Sequence, residues 1–284
     1  MRTLPPEPSR VVALRSDLRK MPAFLRRDVL VSWSYRTAFF ADWLNLVVQV
    51  GLFYFMSRLI DPQLIPQFGG SSTTYMEFVG IGIAFSSFVQ ASLGRVVAAI
   101  RNEQLMGTLE SLLVTPTAPA TLQLGSVVYD LVYVPVRTAI FLGLMVAVFG
   151  IGLEPGGLLP ATAILVVFIP FSWGLGVLSA AAVLTLRRGS GVAGIGGTLL
   201  TLTSGAYFPL TVFPGWLRFV AEHNPLTVAL DGARGALLGG DGWSAVWEPV
   251  SVLVPLAAVT LTVGAFAFRQ AIKRERRRGT LFLY

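Results

Sequence analysis

Residues 158–186 read LLPATAILVVFIPFSWGLGVLSAAAVLTL and carry no charged side chain. A helix rises 1.5 Å per residue, so about 20 apolar residues cross the hydrocarbon core of a bilayer. This run is longer than that. It is expected to tilt or kink as it crosses, with Pro170 the natural place for the bend. Apolar runs flank it on both sides, and spans are expected at 38–60, 75–98, 128–150, 158–186, 191–210 and 247–268. Glycine and proline inside such spans are tolerated, because neighbouring helices satisfy the freed backbone groups.

The composition of the 284 residues agrees with lipid as the solvent. Apolar residues make up 54% and charged residues 13%, with a mean hydropathy of +0.69. A soluble domain carries about 25% charged residues. There is no cysteine, which excludes disulfide scaffolds, thiolate metal sites and cysteine nucleophiles. The one histidine, His223, excludes any site that needs two. No segment reads as a cleaved signal peptide, since the first apolar run starts late and lacks a small-residue cleavage site.

Charge placement orients the spans. Eight basic residues from Arg2 to Arg36 precede the first span, and six from Arg269 to Arg278 follow the last. Arg95 and Arg101 lie at and just beyond the end of span 2, and Arg187 and Arg188 follow span 4. With six spans, these 18 of the 22 basic residues share one side, opposite Arg58, Arg218 and Arg234. Both termini are then cytoplasmic, and the span count must be even. Positives at span ends, rather than along one soluble face, also argue against nucleic acid. Within 18–36, Leu18, Met21, Leu25, Val29 and Trp33 recur at helical spacing, with Arg19, Lys20, Arg26 and Arg27 around them. That is the pattern of an interfacial amphipathic helix, or of a soluble cap on the protein. The basic tail either anchors the last span or contacts headgroups.

Catalytic motifs are missing. A phosphate-binding loop needs a lysine after its glycines, and neither Lys20 nor Lys273 follows a glycine. There is no G-x-S-x-G and no H-E-x-x-H.

Polar residues within the spans are functional candidates by default. Asp42, Asn45 and Gln49 are three and four apart, so they share one helix face directed at a partner helix or a polar cavity. Asp130 and Arg137 share a face in span 3, about 10 Å apart along the axis. They are a structural pair or an anion-contacting site.

Two segments are not ordinary spans. The first, between spans 2 and 3, runs from Arg101 to Pro116. Leu105, Leu109, Leu112 and Leu113 form one stripe, Glu103 and Glu110 lie off it, and Thr115-Pro116 ends the helix. Such a helix either docks into a groove of another protein or covers its own spans. The second runs from about Gly205 to Leu238. It is too broken by proline to span and too apolar for a plain loop. A re-entrant pair of short helices, buried in protein, is the expected solution. Asp231 and Arg234, three apart, can pair on a helix.

Both segments resemble the signatures of ABC-2 type transporter permeases. Glu103 followed by Gly107-Thr108-Leu109-Glu110-Ser111-Leu112-Leu113-Val114-Thr115-Pro116 is similar to the family's cytoplasmic coupling region. Gly205, Phe208-Pro209, Pro214 with Trp216, the Pro225 run, and Asp231 with Arg234 resemble its outer signature. The drug and lipooligosaccharide exporter branch is the nearest in pattern, and residues 1–37 match no motif.

The resemblance implies an all-α integral membrane protein of six transmembrane helices. It adds an N-terminal interfacial helix, a coupling helix between spans 2 and 3, and an outer re-entrant helical hairpin between spans 5 and 6. Residues 1–37 would form a cytoplasmic segment, 38–272 the transmembrane domain, and 273–284 the basic tail. The chain would have no cofactor of its own. ATP and Mg would sit on a separate ABC ATPase, present in two copies, and a second permease subunit would pair with this one as homodimer or heterodimer. The site would be the cytoplasmic membrane, with lipid as a partner. Arginine outnumbers lysine 20 to 2, pointing to a GC-rich bacterial genome. The function implied is export of an amphipathic substrate by alternating access. A self-sufficient channel or secondary transporter and an intramembrane enzyme are the alternatives.

Overall fold

A computed structural model describes residues 36–60, 65–68, 73–105, 136–186 and 190–278, together with Leu30 and Tyr133. Among the described residues there is no β-strand. The expected interfacial helix at 18–36, except for Leu30 and Arg36, residues 106–132 with most of the coupling segment and Asp130, and the tail beyond 278 lie outside them.

Eight helices are described: α1 (Arg36–Ser57), α2 (Tyr75–Leu105), α3 (Val136–Phe149), α4 (Leu158–Leu186), α5 (Ser190–Leu202), α6 (Gly215–Glu222), α7 (Pro225–Leu238) and α8 (Ser244–Arg278). Helix α2 is the hub. Its residues from Tyr75 to Val89 are almost all buried, and it packs on α1, α4, α5 and α7. It opens with a reciprocal cap. The Thr74 N–H donates to Glu77 Oε2 at 2.7 Å, and the Glu77 N–H donates to Thr74 Oγ1 at 3.3 Å. Glu77 Oε1 also accepts from the Gly152 N–H at 3.0 Å, tying the α3–α4 connection to the same point.

Helix α4 has the expected boundaries, 158–186, and continues through Pro170 without a break. It makes its most extensive contact with α8. There Gly174 of α4 meets Thr260, and Gly264 of α8 meets the Gly174 carbonyl. Small residues at the crossing let the two backbones approach, which is how helices associate in lipid. The segments Pro155–Thr185 and Ser244–Arg274 are long and apolar enough to cross a bilayer, while Trp43–Ser57 and Val136–Phe149 are shorter apolar helices.

The fifth expected span, 191–210, needs correction. Helix α5 stops at Leu202, so its 13 residues cover about 20 Å, against a hydrocarbon core of about 30 Å. The cause is local. Thr203 Oγ1 donates to the Leu199 carbonyl at 2.7 Å, and Ser204 Oγ donates to the Thr201 carbonyl at 2.7 Å. Asn224 Nδ2 donates to the Leu200 carbonyl at 2.7 Å. Three carbonyls at the helix end are thus satisfied by side chains, and Gly205, at φ +70°, turns the chain away.

Candidate functional site

The turn at 203–209 is where the segment 205–238 meets the helical body. Its backbone lies directly on α2. A Cβ added at Gly82 would sit 1.9 Å from the Ala206 carbonyl oxygen, so no side chain fits at that position. Tyr207 follows. Its ring stacks on Phe53 of α1, with centroids 5.1 Å apart and planes 4° from parallel. Its hydroxyl accepts from Gln49 Nε2 at 3.2 Å and lies 3.4 Å from Ser86 Oγ. Its carbonyl accepts from Tyr75 Oη at 2.9 Å.

Helix α7 is built to be buried. Asn224 caps it by accepting from the Leu226 N–H at 2.9 Å, and Pro225 takes the first position, where a missing N–H costs nothing. Thr227 Oγ1 reaches back to the Ala221 carbonyl at 2.7 Å and the Ser204 carbonyl at 3.1 Å. At the other end, the Leu237 carbonyl accepts from the Glu154 N–H at 2.8 Å.

Arg234 projects from α7 into the core and is 0% exposed. Its Nε and Nη2 donate to the Phe78 carbonyl at 3.3 and 3.1 Å. Nη2 also reaches the Gly205 carbonyl at 3.0 Å and the Ala206 carbonyl at 3.4 Å. The guanidinium lies 3.5 Å from the centroid of the Phe78 ring, a cation–π distance. Nη1 is 3.7 Å from Asp231 Oδ1, an ion pair too long for a hydrogen bond. One side chain thereby joins α7, α2 and the 203–209 turn. A planar fork of donors suits this, because it presents several N–H groups in fixed directions.

Around Asp231 the surface opens into a cleft of about 310 Å³ between α6, α7 and the start of α8. Glu222, Asp231, Asp241 and Glu248 line it. The lining is acidic, and the half-exposed carboxylate of Asp231 links the cleft to the buried arginine.

The expected site residues separate into groups. Gly205, Asp231 and Arg234 come together, as do Gln49 and the turn. Pro209 is buried and leads into a short 3-10 turn at Leu210–Val212, while Pro214 precedes α6. Phe208 and Trp216 point outward. On α1, Gln49 turns to Tyr207 and Asn45 is exposed. The side chain of Asp42 lies outside the description, as does that of Glu103, whose backbone belongs to the last turn of α2. Arg137 is buried in the first turn of α3. Gly107, Thr108, Leu109, Glu110, Leu112, Leu113, Thr115 and Pro116 fall outside the described residues.

Two contributors, Tyr207 and Gly82, escape the sequence reading, whereas Asn224 and Thr227 belong to the Pro225 run of the second signature. Asn224 had a signal, since Asn before Pro at the start of an apolar run is a helix-start pattern. Gly82 acts through close backbone approach, which leaves no pattern in composition, and Tyr207 through a ring and hydroxyl whose partners Phe53 and Gln49 are far away along the chain.

A family model described as ABC-2 type transporter matches residues 21–238. No curated protein matches the chain.

Proposed function

Because the chain belongs to the ABC-2 type transporter family, a family of membrane permease components that work with an ABC ATPase subunit, we propose that it is the permease of an ATP-driven exporter. The family match over residues 21–238 carries this reading, since it includes both the coupling segment and the outer segment. Two copies of the ATPase and a second permease complete the assembly, with both termini cytoplasmic and six membrane passages. The short α5 and the turn after it supply the fifth passage together with the outer segment, as a re-entrant arrangement buried against α2. An exposed Asn45 on an apolar helix is a polar group in search of a partner within lipid, which supports a second permease against α1.

ATP binding draws the two ATPases together, and the segment Glu103–Pro116 transmits that motion to the spans. The pathway then alternates between inner and outer openings, a population shift driven by a ligand that binds one state better. The substrate is amphipathic: a drug, a lipid or a glycolipid. The α7 block, held by Arg234, serves as the outer closure of the pathway. Asp130 and Arg137 remain candidates for the pathway wall.

The test lies at the coupling segment. Leu109→Asp forces a charge into the groove that receives the leucine stripe. It is expected to leave membrane insertion intact and to abolish co-purification with the ATPase or transport-coupled ATP hydrolysis. Losing 2 kcal/mol at this interface corresponds to about 30-fold weaker binding. Normal binding and transport by this variant, beside a control change at Thr280, would remove the coupling role.

A further inference from the structure

Helix α6 has three edges. Ala221 is buried and Leu217 half-buried, facing the protein. Arg218 and Glu222 form an ion pair at 2.9 Å on a second edge. Trp216, Phe219 and Val220 occupy the third, within an arc of about 100° by helical geometry. This third edge is exposed, Trp216 by 73% and Phe219 by 65%. Val212, just before the helix, extends the same apolar surface.

The neighbouring element says what covers that edge. Trp243 and Trp247, one helical turn apart at the mouth of α8, are also exposed, and α8 continues as one of the two helices apolar and long enough to cross a bilayer. Tryptophan collects at the boundary between headgroups and acyl chains, because its ring is apolar and its N–H seeks a polar partner. The cleft that has Glu222 of α6 on one side has Asp241, Ser244 and Glu248 of the α8 mouth on the other. Helix α6 therefore lies beside the point where α8 enters the membrane. Its Arg218–Glu222 edge is separate from the aromatic one, as a helix at a water–lipid boundary requires.

We propose that α6 is an interfacial helix seated in the outer leaflet, with Trp216, Phe219 and Val220 immersed at the headgroup–acyl boundary. This rests on the outer placement of residues 205–238 in the reading above. The consequence concerns exit. With α6 at that depth, the acidic cleft between α6 and α8 opens sideways at headgroup level. An amphipathic molecule released there meets the leaflet before it meets bulk water.

The chain has no cysteine, so single cysteines carry spin labels without background. Labels are placed one at a time at 216, 218, 219, 220 and 222 in the full chain, reconstituted into phosphatidylethanolamine–phosphatidylglycerol vesicles. All five positions are exposed, so the substitutions leave the packing in place. Collision rates with oxygen, which concentrates in lipid, and with a water-soluble nickel chelate are then compared. The oxygen-to-nickel ratio is expected to be several-fold higher at 216, 219 and 220 than at 218 and 222. High nickel access at 216, 219 and 220 would place the edge in water and overturn the proposal. Low access to both reagents there would show the edge covered by protein, such as a second copy of the chain, and would equally overturn it. The placement is read separately, with Arg218→Cys and a membrane-impermeant maleimide on intact cells. Labelling of intact cells is expected. Labelling only after lysis would overturn the outer placement on which the proposal stands, while leaving the accessibility pattern as a distinct result.

Discussion

Helices α6 and α7 follow one another with only His223 and Asn224 between them, yet they have opposite fates. In α7, ten of the 14 residues are buried, and the small residues Ala229, Ala233, Gly235 and Ala236 are among them beside four leucines and Arg234. In α6, Ala221 alone is buried, and the bulk of the apolar side chain volume points away from the protein. Trp216 and Phe219 exposed on one helix, beside a buried helix with several small residues, depart from the pattern of a water-soluble protein. In lipid this is expected, since a Leu or Phe gains little by leaving acyl chains. Close backbone approach, by contrast, gains dispersion contacts and hydrogen bonds. The pair also divides the labour of the segment 205–238: α7 is fastened to the body, and α6 rests against it.

The largest test of that division is Arg234. Replacing it with Met leaves the Phe78, Gly205 and Ala206 carbonyls without their shared donor. Buried groups left unmade cost roughly 1–3 kcal/mol each, so a loss of at least about 3 kcal/mol is expected. It would appear as a lower melting temperature of the purified protein and as loss of transport. Arg234→Lys should recover only part, because a lysine ammonium cannot present a planar fork to three carbonyls. Full recovery with lysine would show that charge alone is what the site needs.

Gly82→Ala comes next. The added methyl carbon falls 1.9 Å from the Ala206 oxygen, so α2 or the turn must move. Overpacking of this kind costs about 1–3 kcal/mol. A melting temperature equal to wild type would mean that the turn is held less firmly than its contacts indicate.

Asn224→Ala removes the cap of α7 and the donors to the Leu200 carbonyl and Thr203 Oγ1. About 2 kcal/mol is expected, the sum of a lost cap and a lost buried hydrogen bond. Tyr207→Phe keeps the stacking on Phe53 and deletes the hydroxyl, for about 1 kcal/mol. Its effect should shrink when Gln49→Leu is already present, since the two share one interaction. Additive losses would sever that link between α1 and the turn. The smallest effect belongs to α6. Trp216→Ala in detergent should alter stability by less than about 0.5 kcal/mol, as exposed positions do. A large destabilisation would place Trp216 in a protein contact and erase the contrast between the two helices.

Legibility in the sequence follows the same physics. Helix α4 was legible to the residue, because an uncharged apolar run is bounded by Pro155-Gly156-Gly157 before it and Arg187-Arg188 after it. The end of α5 was not. Apolar residues continue past Leu202 through Ala206, Tyr207 and Phe208, so hydropathy carries on where helical hydrogen bonding has already stopped. What ends the helix is a set of hydroxyl and amide caps, one of them contributed by Asn224 from across the outer segment. Arg234 was legible as a charge that needs a partner, and Asp231 was the only candidate within reach along the chain. Its main partners proved to be carbonyls from Phe78, Gly205 and Ala206. Every residue has a carbonyl, so no residue type could have announced them.

The sequence by itself determined the solvent, the extent of α4 and, through its two signature segments, the family. Tertiary structure alone decided where α5 stops, that Gln49 meets Tyr207 while Asn45 does not, and that α7 rather than α6 is the buried helix of the pair. The reason is that lipid and protein interior are both apolar. A helix in water shows its inward face by the contrast between apolar and polar stripes. A helix in a membrane has little such contrast, so only the packing of small residues and the search of each polar group for a partner decide which side turns in.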